Sequence, residues 1–264
     1  MKQQDDQVTA IIVARGGSKR LLRKNVLPFC GLPLVEWSIL QAVCAHHIGA
    51  ENTYLTTDDD EIAAIGEKHN LNIIWRPDWE NPDKLSAAFV VHHAIHEIRK
   101  ERECDTIIDI MPTCPMRLPD DMDRAIIRYS EFRKLYPGCG ELIWTIPRSE
   151  FHIRKYLDDH QMMIYLFNKG GYFSQAGNWS NVSSADYYLN THQIVNDEDV
   201  QRNDIWMEPG KIGRAIYYIN GKWFQKFDID NQEDFGFCEI LMERYVLKGH
   251  GAQLYWDYKE RHNE

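Results

Sequence analysis

The sequence predicts an α/β fold: a mainly parallel sheet with helices on both faces. Three observations carry that expectation. Short β-branched runs alternate with helix-periodic stretches from Val8 to Ile146. Prolines and acidic caps stand where those helices should begin. A chain of 264 residues that is 44% hydrophobic can bury a sizeable core without staples. We read it as a single domain over residues 1–264, with residues 147–207 as an inserted lobe.

The elements follow in order. Val8 to Ala14 is an unbroken apolar run of the kind a buried parallel strand requires. A polar, Gly-rich loop runs from Arg15 to Asn25. Pro33 opens a helix ending near His47, with Leu34, Trp37, Leu40 and Cys44 on its inner side. Thr53 to Thr57 is a short strand, and Asp58 to Asp60 cap the helix carrying Ile62 and Ile65. Ile73 to Arg76 is a strand, Ser86 starts a helix through Ile98, and Thr106 to Met111 is a further strand. Pro119 opens the helix with Met122, Ile126 and Tyr129, and Leu142 to Ile146 is the next strand. From Pro147 to Met207 no helix period is visible, and Tyr, Asn, Ser and Gly dominate. Ala215 to Asn220 resumes as a strand, Phe227 to Asp230 follows, and Glu233 to Leu247 is a closing helix.

Composition narrows the function classes. Lysines and arginines number 30 against 40 acidic residues, a net charge of −10. No broad basic field is present to meet a nucleic-acid backbone, so nucleic acid is not the expected partner. None of the six cysteines forms a Cys-x-x-Cys pair, which speaks against a zinc or redox motif. Met1 to Gln7 is too polar for a signal peptide, and no apolar run reaches membrane-spanning length. The expected setting is the cytoplasm, without membrane association.

Within this acidic chain the loop after the first strand stands out. Arg15, Lys19, Arg20, Arg23 and Lys24 put five cations in ten residues, and Gly16 and Gly17 would let backbone N–H groups approach a phosphate. The spacing fits neither a Walker loop nor a Gly-x-Gly-x-x-Gly loop. Taken alone, the run reads equally as a solvated basic turn. The late Asp228-Ile229-Asp230 is similarly open. On an extended segment residues two apart face the same way, so both carboxylates can meet one cation. An exposed edge is the plain alternative, as is a helix cap made by Asp230.

Taken together, these segments resemble the acylneuraminate cytidylyltransferases, the CMP-sialic acid synthetases. Their first strand runs into Ala-Arg-Gly-Gly-Ser-Lys-x-x-x-Arg-Lys-Asn, as Ala14 to Asn25 does here. Thr56-Thr57-Asp58-Asp59, Arg76-Pro77 followed by Asp83 and Ser86, Met111 to Arg117, and Asp228 to Asp234 match further motifs in family order. The resemblance spans Val8 to Ile146 and Ala215 to Leu247. It implies a Rossmann-like sheet of the nucleotide-diphospho-sugar transferase type with a small dimerisation lobe, and a homodimer. It implies CTP and an acidic 2-keto sugar as substrates, and Mg²⁺ as cofactor.

Residue by residue, the resemblance implies a nucleotide site made by Ala14, Arg15, Gly16, Gly17, Ser18, Lys19, Lys24, Asn25, Arg76 and Ser86. Arg15, Lys19 and Lys24 carry the catalytic role. Met111, Thr113 and Arg117 face the sugar, joined by Arg154 and Lys155 of a basic segment. Asp228 and Asp230 hold Mg²⁺. Three places depart from the pattern. Met111 stands where a Gln is usual, Leu22 replaces a common Pro, and Gly213-Arg214 replaces Asn-Gly. All but Leu22 lie on the sugar or dimer side. A pseudaminic, legionaminic or Kdo-like acid, or a GDP-sugar, is therefore the alternative product class, and a non-catalytic nucleotide-binding relative is a further one. A glycosyltransferase fits less well, because its Asp-x-Asp normally falls mid-chain.

Overall fold

The computed structural model describes residues 8–79, 85, 87–104, 106–135, 141–145, 188–191, 215–219 and 222–261. Strand β1 (Val8–Val13) lies between β4 (Thr53–Thr57) and β6 (Thr106–Ile110), parallel to both. β5 (Asn72–Trp75) extends the sheet beyond β4, and β7 (Glu141–Thr145) pairs in parallel with β9 (Ala215–Ile219). The order is β5-β4-β1-β6-β8-β7-β9. Chain direction leaves β1 towards β4 on one side and β6 on the other, which opens a crevice at their carboxyl ends. A small hairpin, β2 (Pro28–Phe29) with β3 (Leu32–Pro33), stands apart from the sheet.

One strand differs from expectation. β8 (Tyr188–Thr191) lies inside the stretch read as a separate lobe, yet it is inserted antiparallel between β6 and β7. These four residues belong to the main sheet. The rest of 147–207 lies outside the described residues, as does the expected dimerisation lobe.

The alternation of β1 divides the core. Ala10 and Ile12 pack with helices α1 (Leu34–Cys44), α2 (Asp60–Lys68) and α4 (Asp121–Leu135). Ile11 faces the other way, onto Val91, Ala94, Ile95 and Ile98 of α3 (Ala87–Arg99). That is the period of two expected when both faces of a strand are covered.

Helix α1 ends three residues before the expected His47 and is buried on every side, not along one stripe. Val35, Ile39 and Val43 meet the sheet layer. Leu34, Trp37, Leu40 and Cys44 meet a second layer, built from α5 (Gln232–Leu241) and α6 (Gln253–Arg261). A helix packed between two layers is enclosed all round, and its buried polar residues Glu36 and Gln41 are satisfied by Lys68 and by the Pro115 carbonyl. The closing helix also departs from the simple reading. After Leu241 it widens into a π-helical turn over Met242–Leu247, and α6 follows as an element the sequence did not announce. Among the described residues no helix is long and apolar enough to cross a membrane.

At the start of α4, Asp121 is fully buried and accepts hydrogen bonds from Leu118 N (2.7 Å) and Gln225 Nε2 (2.5 Å). Burial outweighs these bonds and raises its carboxyl to about 6. Between an unfolded value near 3.8 and about 6, the folded state holds the proton that the unfolded state has lost, so stability falls as pH rises. We expect this group to remove roughly 1–3 kcal/mol between pH 4 and pH 6.5. Guanidinium unfolding at both pH values checks it: the decline should be shallower in Asp121→Asn than in the natural protein.

Candidate active site

A cavity of about 530 Å³ opens at the carboxyl ends of β1, β5 and β6. Arg15, Ser18, Lys19, Arg20, Lys24 and Asn25 of the loop after β1 form one wall. Asp228 and Asp230 face them from the approach to α5, and Arg76, Met111 and Thr113 come from the ends of β5 and β6. The expected basic loop and acidic pair, some two hundred residues apart in sequence, thus share one cavity.

Gly16 has a task in the fold that residue type alone does not reveal, whereas a Cβ on Gly17 would meet nothing within 4 Å. A Cβ on Gly16 would lie 2.4 Å from Asp59 Oδ2, and the Gly16 N–H donates to Asp58 Oδ1 at 2.8 Å. Gly16 is required by the close approach of the Asp58-Asp59 turn, and its N–H is already engaged. Neither it nor Gly17 nor Ala14 lines the cavity. Arg23 is likewise withdrawn from the cationic set. It adopts a left-handed φ of 53° and pairs with Asp59 (2.7 Å) and Glu61 (2.5 Å). Asp59 also caps α2 through Glu61 N and Ile62 N. The Arg23 and Gly16 contacts therefore fasten the loop to the start of α2.

Lys24 begins a 3₁₀ turn (Lys24–Val26), and its Nζ donates to the carbonyl of Ile229. Burial pulls this amine below its usual range, against the fields of Asp228 and Asp230. Asn25, 6% exposed, donates from Nδ2 to Arg15 O at 2.9 Å. Its Oδ1 is buried without a hydrogen-bond partner among the described residues, which leaves an acceptor at the cavity wall. Arg76 is held by Thr56, through Nη2 to the carbonyl at 3.0 Å. Burial lowers its guanidinium to about 10, with Arg15 adding and Asp58 opposing, so it is still charged at neutral pH.

The Asp-Ile-Asp segment has no regular secondary structure and joins no described sheet ladder. Ile229 is fully buried, and its N–H donates to Thr113 O at 2.9 Å, so its acidic neighbours both turn to the cavity. Burial raises the Asp228 carboxyl, with the field of Asp230 adding and a Thr113 hydrogen bond and Lys24 opposing. Asp230 does not cap the following helix. Asn231 does, through its Oδ1 and Asp234 N at 2.9 Å, while Asp234 Oδ2 returns to the N–H groups of Asp230 and Asn231. The Asp230 side chain instead meets Arg20, Nη1 to Oδ2 at 2.5 Å.

Two carboxylates beside a cationic wall are an oxygen donor set suited to a hard divalent cation shared with substrate phosphates. Among the described residues no cluster of three or more His, Cys, Asp or Glu could hold a metal without such help.

Arg117 needs correction. It was expected at the sugar, but it is 1% exposed and does not line the cavity. Its Nη1 donates to Gln41 Oε1 at 3.0 Å and its Nη2 to Met111 O at 2.9 Å, while its own carbonyl accepts from Tyr255 OH at 2.6 Å. It supports the Met111–Thr113 turn from behind. Ser86, Arg154 and Lys155 lie outside the described residues.

Sequence reasoning passed over other lining residues. Arg20 was visible within the basic run but received no role. Val13, Leu85, Ala87, Val90 and Pro112 form an apolar side of the cavity. Their pattern is that of ordinary core positions, so nothing local marks them.

Comparison with known proteins bears on the family and the fold. The cytidylyltransferase family profile matches residues 9–171. A pseudaminic acid cytidylyltransferase of Campylobacter jejuni is 26% identical over 240 residues, which is 88% of this chain and 94% of that protein. An N-acylneuraminate cytidylyltransferase of Escherichia coli is 28% identical over 162 residues, covering 61% of this chain and 36% of that protein. Among solved structures, a CMP:2-keto-3-deoxy-manno-octonic acid synthetase complexed with CTP superposes with a TM-score of 0.62 at 16% identity, over 91% of this chain and all of that one.

Proposed function

The chain belongs to the cytidylyltransferase family, and from that premise we propose that it joins CMP from CTP to an acidic 2-keto sugar of the sialic-acid type, releasing pyrophosphate. One observation carries the reading. The cationic loop Arg15–Lys24 and the pair Asp228/Asp230 face one another across a single cavity.

In the proposed reaction the anomeric hydroxyl oxygen of the sugar attacks the α-phosphorus in line. The new O–P bond forms as the bond to the pyrophosphate oxygen breaks, and the hydroxyl proton passes to solvent. The chain's own task is to place and neutralise charge, the larger part of catalysis in phosphoryl and nucleotidyl transfer. Arg15, Lys19 and Lys24 would meet the triphosphate. Arg76 and the buried, unpartnered Oδ1 of Asn25 would meet the nucleoside. Asp228 and Asp230 would hold Mg²⁺, which supplies further neutralisation of the phosphate charge. The reading includes a homodimer in the cytoplasm.

Within the acidic sugars, we infer one with a less polar or differently placed substituent than N-acetylneuraminic acid, of the kind named in the Campylobacter relative. Met111 supports this. A thioether offers almost none of the hydrogen bonding that a Gln there would. The apolar residues Pro112 and Val90 line the same cavity. A buried sugar hydroxyl or amide left without a partner costs about 1–3 kcal/mol, roughly 5- to 160-fold in kcat/KM.

Two measurements test these proposals. With Mg²⁺, CTP should raise the melting temperature more than ATP, GTP or UTP does; a preference for GTP would favour the GDP-sugar alternative. On a panel of acidic sugars, N-acetylneuraminic acid should be a poorer substrate than pseudaminic or legionaminic acid, and Met111→Gln should narrow the gap. If N-acetylneuraminic acid is best and Met111→Gln does not improve it, the sugar assignment is wrong.

A further inference from the structure

Arg20 lines the cavity and takes a carboxylate of the acidic pair as its partner. Its Nη1 lies 2.5 Å from Asp230 Oδ2, across 210 residues of sequence. The two side chains are 72% and 41% exposed, so water screens the pair and it is readily exchanged. The contact has no evident task in holding the fold. The helix start beside it is secured by Asn231 and Asp234, and the loop is tied separately to the acidic segment through Lys24 and Ile229. What the pair does is occupy a carboxylate oxygen at the mouth of the cavity.

We propose that Arg20 is a latch on metal entry: in the empty site it covers Asp230, and it lets go when a nucleotide triphosphate offers it a better anionic partner. The proposal rests on the reading of Asp228 and Asp230 as metal ligands. A divalent cation arriving alone must displace the guanidinium, and it meets Asp230 already half neutralised. A triphosphate entering beside Arg15, Lys19 and Lys24 gives Arg20 phosphate oxygens to bind in a forked geometry. Asp230 is then released where the phosphates bring their own share of cation ligands. Metal and nucleotide thereby favour one another through a single side chain, a coupling that must be reciprocal. Premature metal binding, with no substrate to share it, is held down.

The test uses Mn²⁺ as the probe, titrated into nucleotide-free protein and followed by the EPR signal of the free ion. Arg20→Gln should bind Mn²⁺ about three- to fivefold more tightly than the natural protein, the range an exposed ion pair can hold back. Lys19→Gln removes a positive charge from the same loop and should change the affinity less than twofold. In EDTA, Arg20→Gln should bind CTP several-fold more weakly. Unchanged Mn²⁺ affinity in Arg20→Gln, an equal gain in Lys19→Gln, or unchanged CTP affinity in EDTA overturns the latch. Asp228→Asn separates the two levels of argument. If it abolishes Mn²⁺ binding while Arg20→Gln has no effect, the metal reading stands and the latch falls. If it binds Mn²⁺ like the natural protein, the metal reading falls and takes the latch with it.

Discussion

Lys24→Met is expected to lower kcat by roughly 30- to 1000-fold while leaving the protein folded, and Arg15→Ala to lower it at least tenfold. Both side chains line the cavity, and neither lies in the apolar layers. On the proposed reaction each faces phosphate charge that grows as pyrophosphate departs. Losing one donor of that kind costs about 2–4 kcal/mol of transition-state stabilisation. Methionine retains the stem of Lys24 and removes only the amine, so the bond to the Ile229 carbonyl is lost while packing is kept. Steady-state kinetics at saturating substrates measure the effect, and circular dichroism verifies the fold. Turnover close to that of the natural protein in both variants would sink the assignment of this loop to the triphosphate.

The second large effect is expected at the acidic pair. Asp228→Asn and Asp230→Asn should each raise the Mg²⁺ concentration needed for half-maximal rate and cut the maximal rate about tenfold or more. An amide preserves the shape and one oxygen ligand but loses the charge that a hard cation seeks. Asp228 should show the larger loss. It bonds to Thr113, so its position is better defined, whereas Asp230 is shared with Arg20. A Mg²⁺ titration of rate for each variant is the measurement. If both curves overlie that of the natural protein, the pair is structural and the metal lies elsewhere.

Much of the site can be read from local chemistry. The basic run after β1, the acidic pair before α5 and the cap at Asp59 depend on residue type and short spacing, both present in the linear string, whereas the cap of α5 falls on Asn231 and not on Asp230. Arg117 shows where such reading stops. An arginine beside a candidate binding turn is an obvious ligand for a sugar acid, and only its burial against Gln41 and Tyr255 shows that it faces away. Gly16 illustrates the same limit. A glycine in a basic loop suggests room for phosphate, but here the room is taken by Asp59, forty-three positions later.

From the sequence alone came the strand–helix alternation, the order of motifs and the chemical character of the cavity's two charged walls. Those depend on periodicities of two and 3.6 and on residues within a few positions of each other. Tertiary structure alone decided that β8 enters the main sheet, that α1 is enclosed by two layers, that apolar residues form a side of the cavity, and that Arg20 covers Asp230. Each of these depends on which distant segments meet. Strand pairing, burial and ion-pair choice are set by the whole packed chain, and a side chain's partner across two hundred residues has no signature in its own neighbourhood.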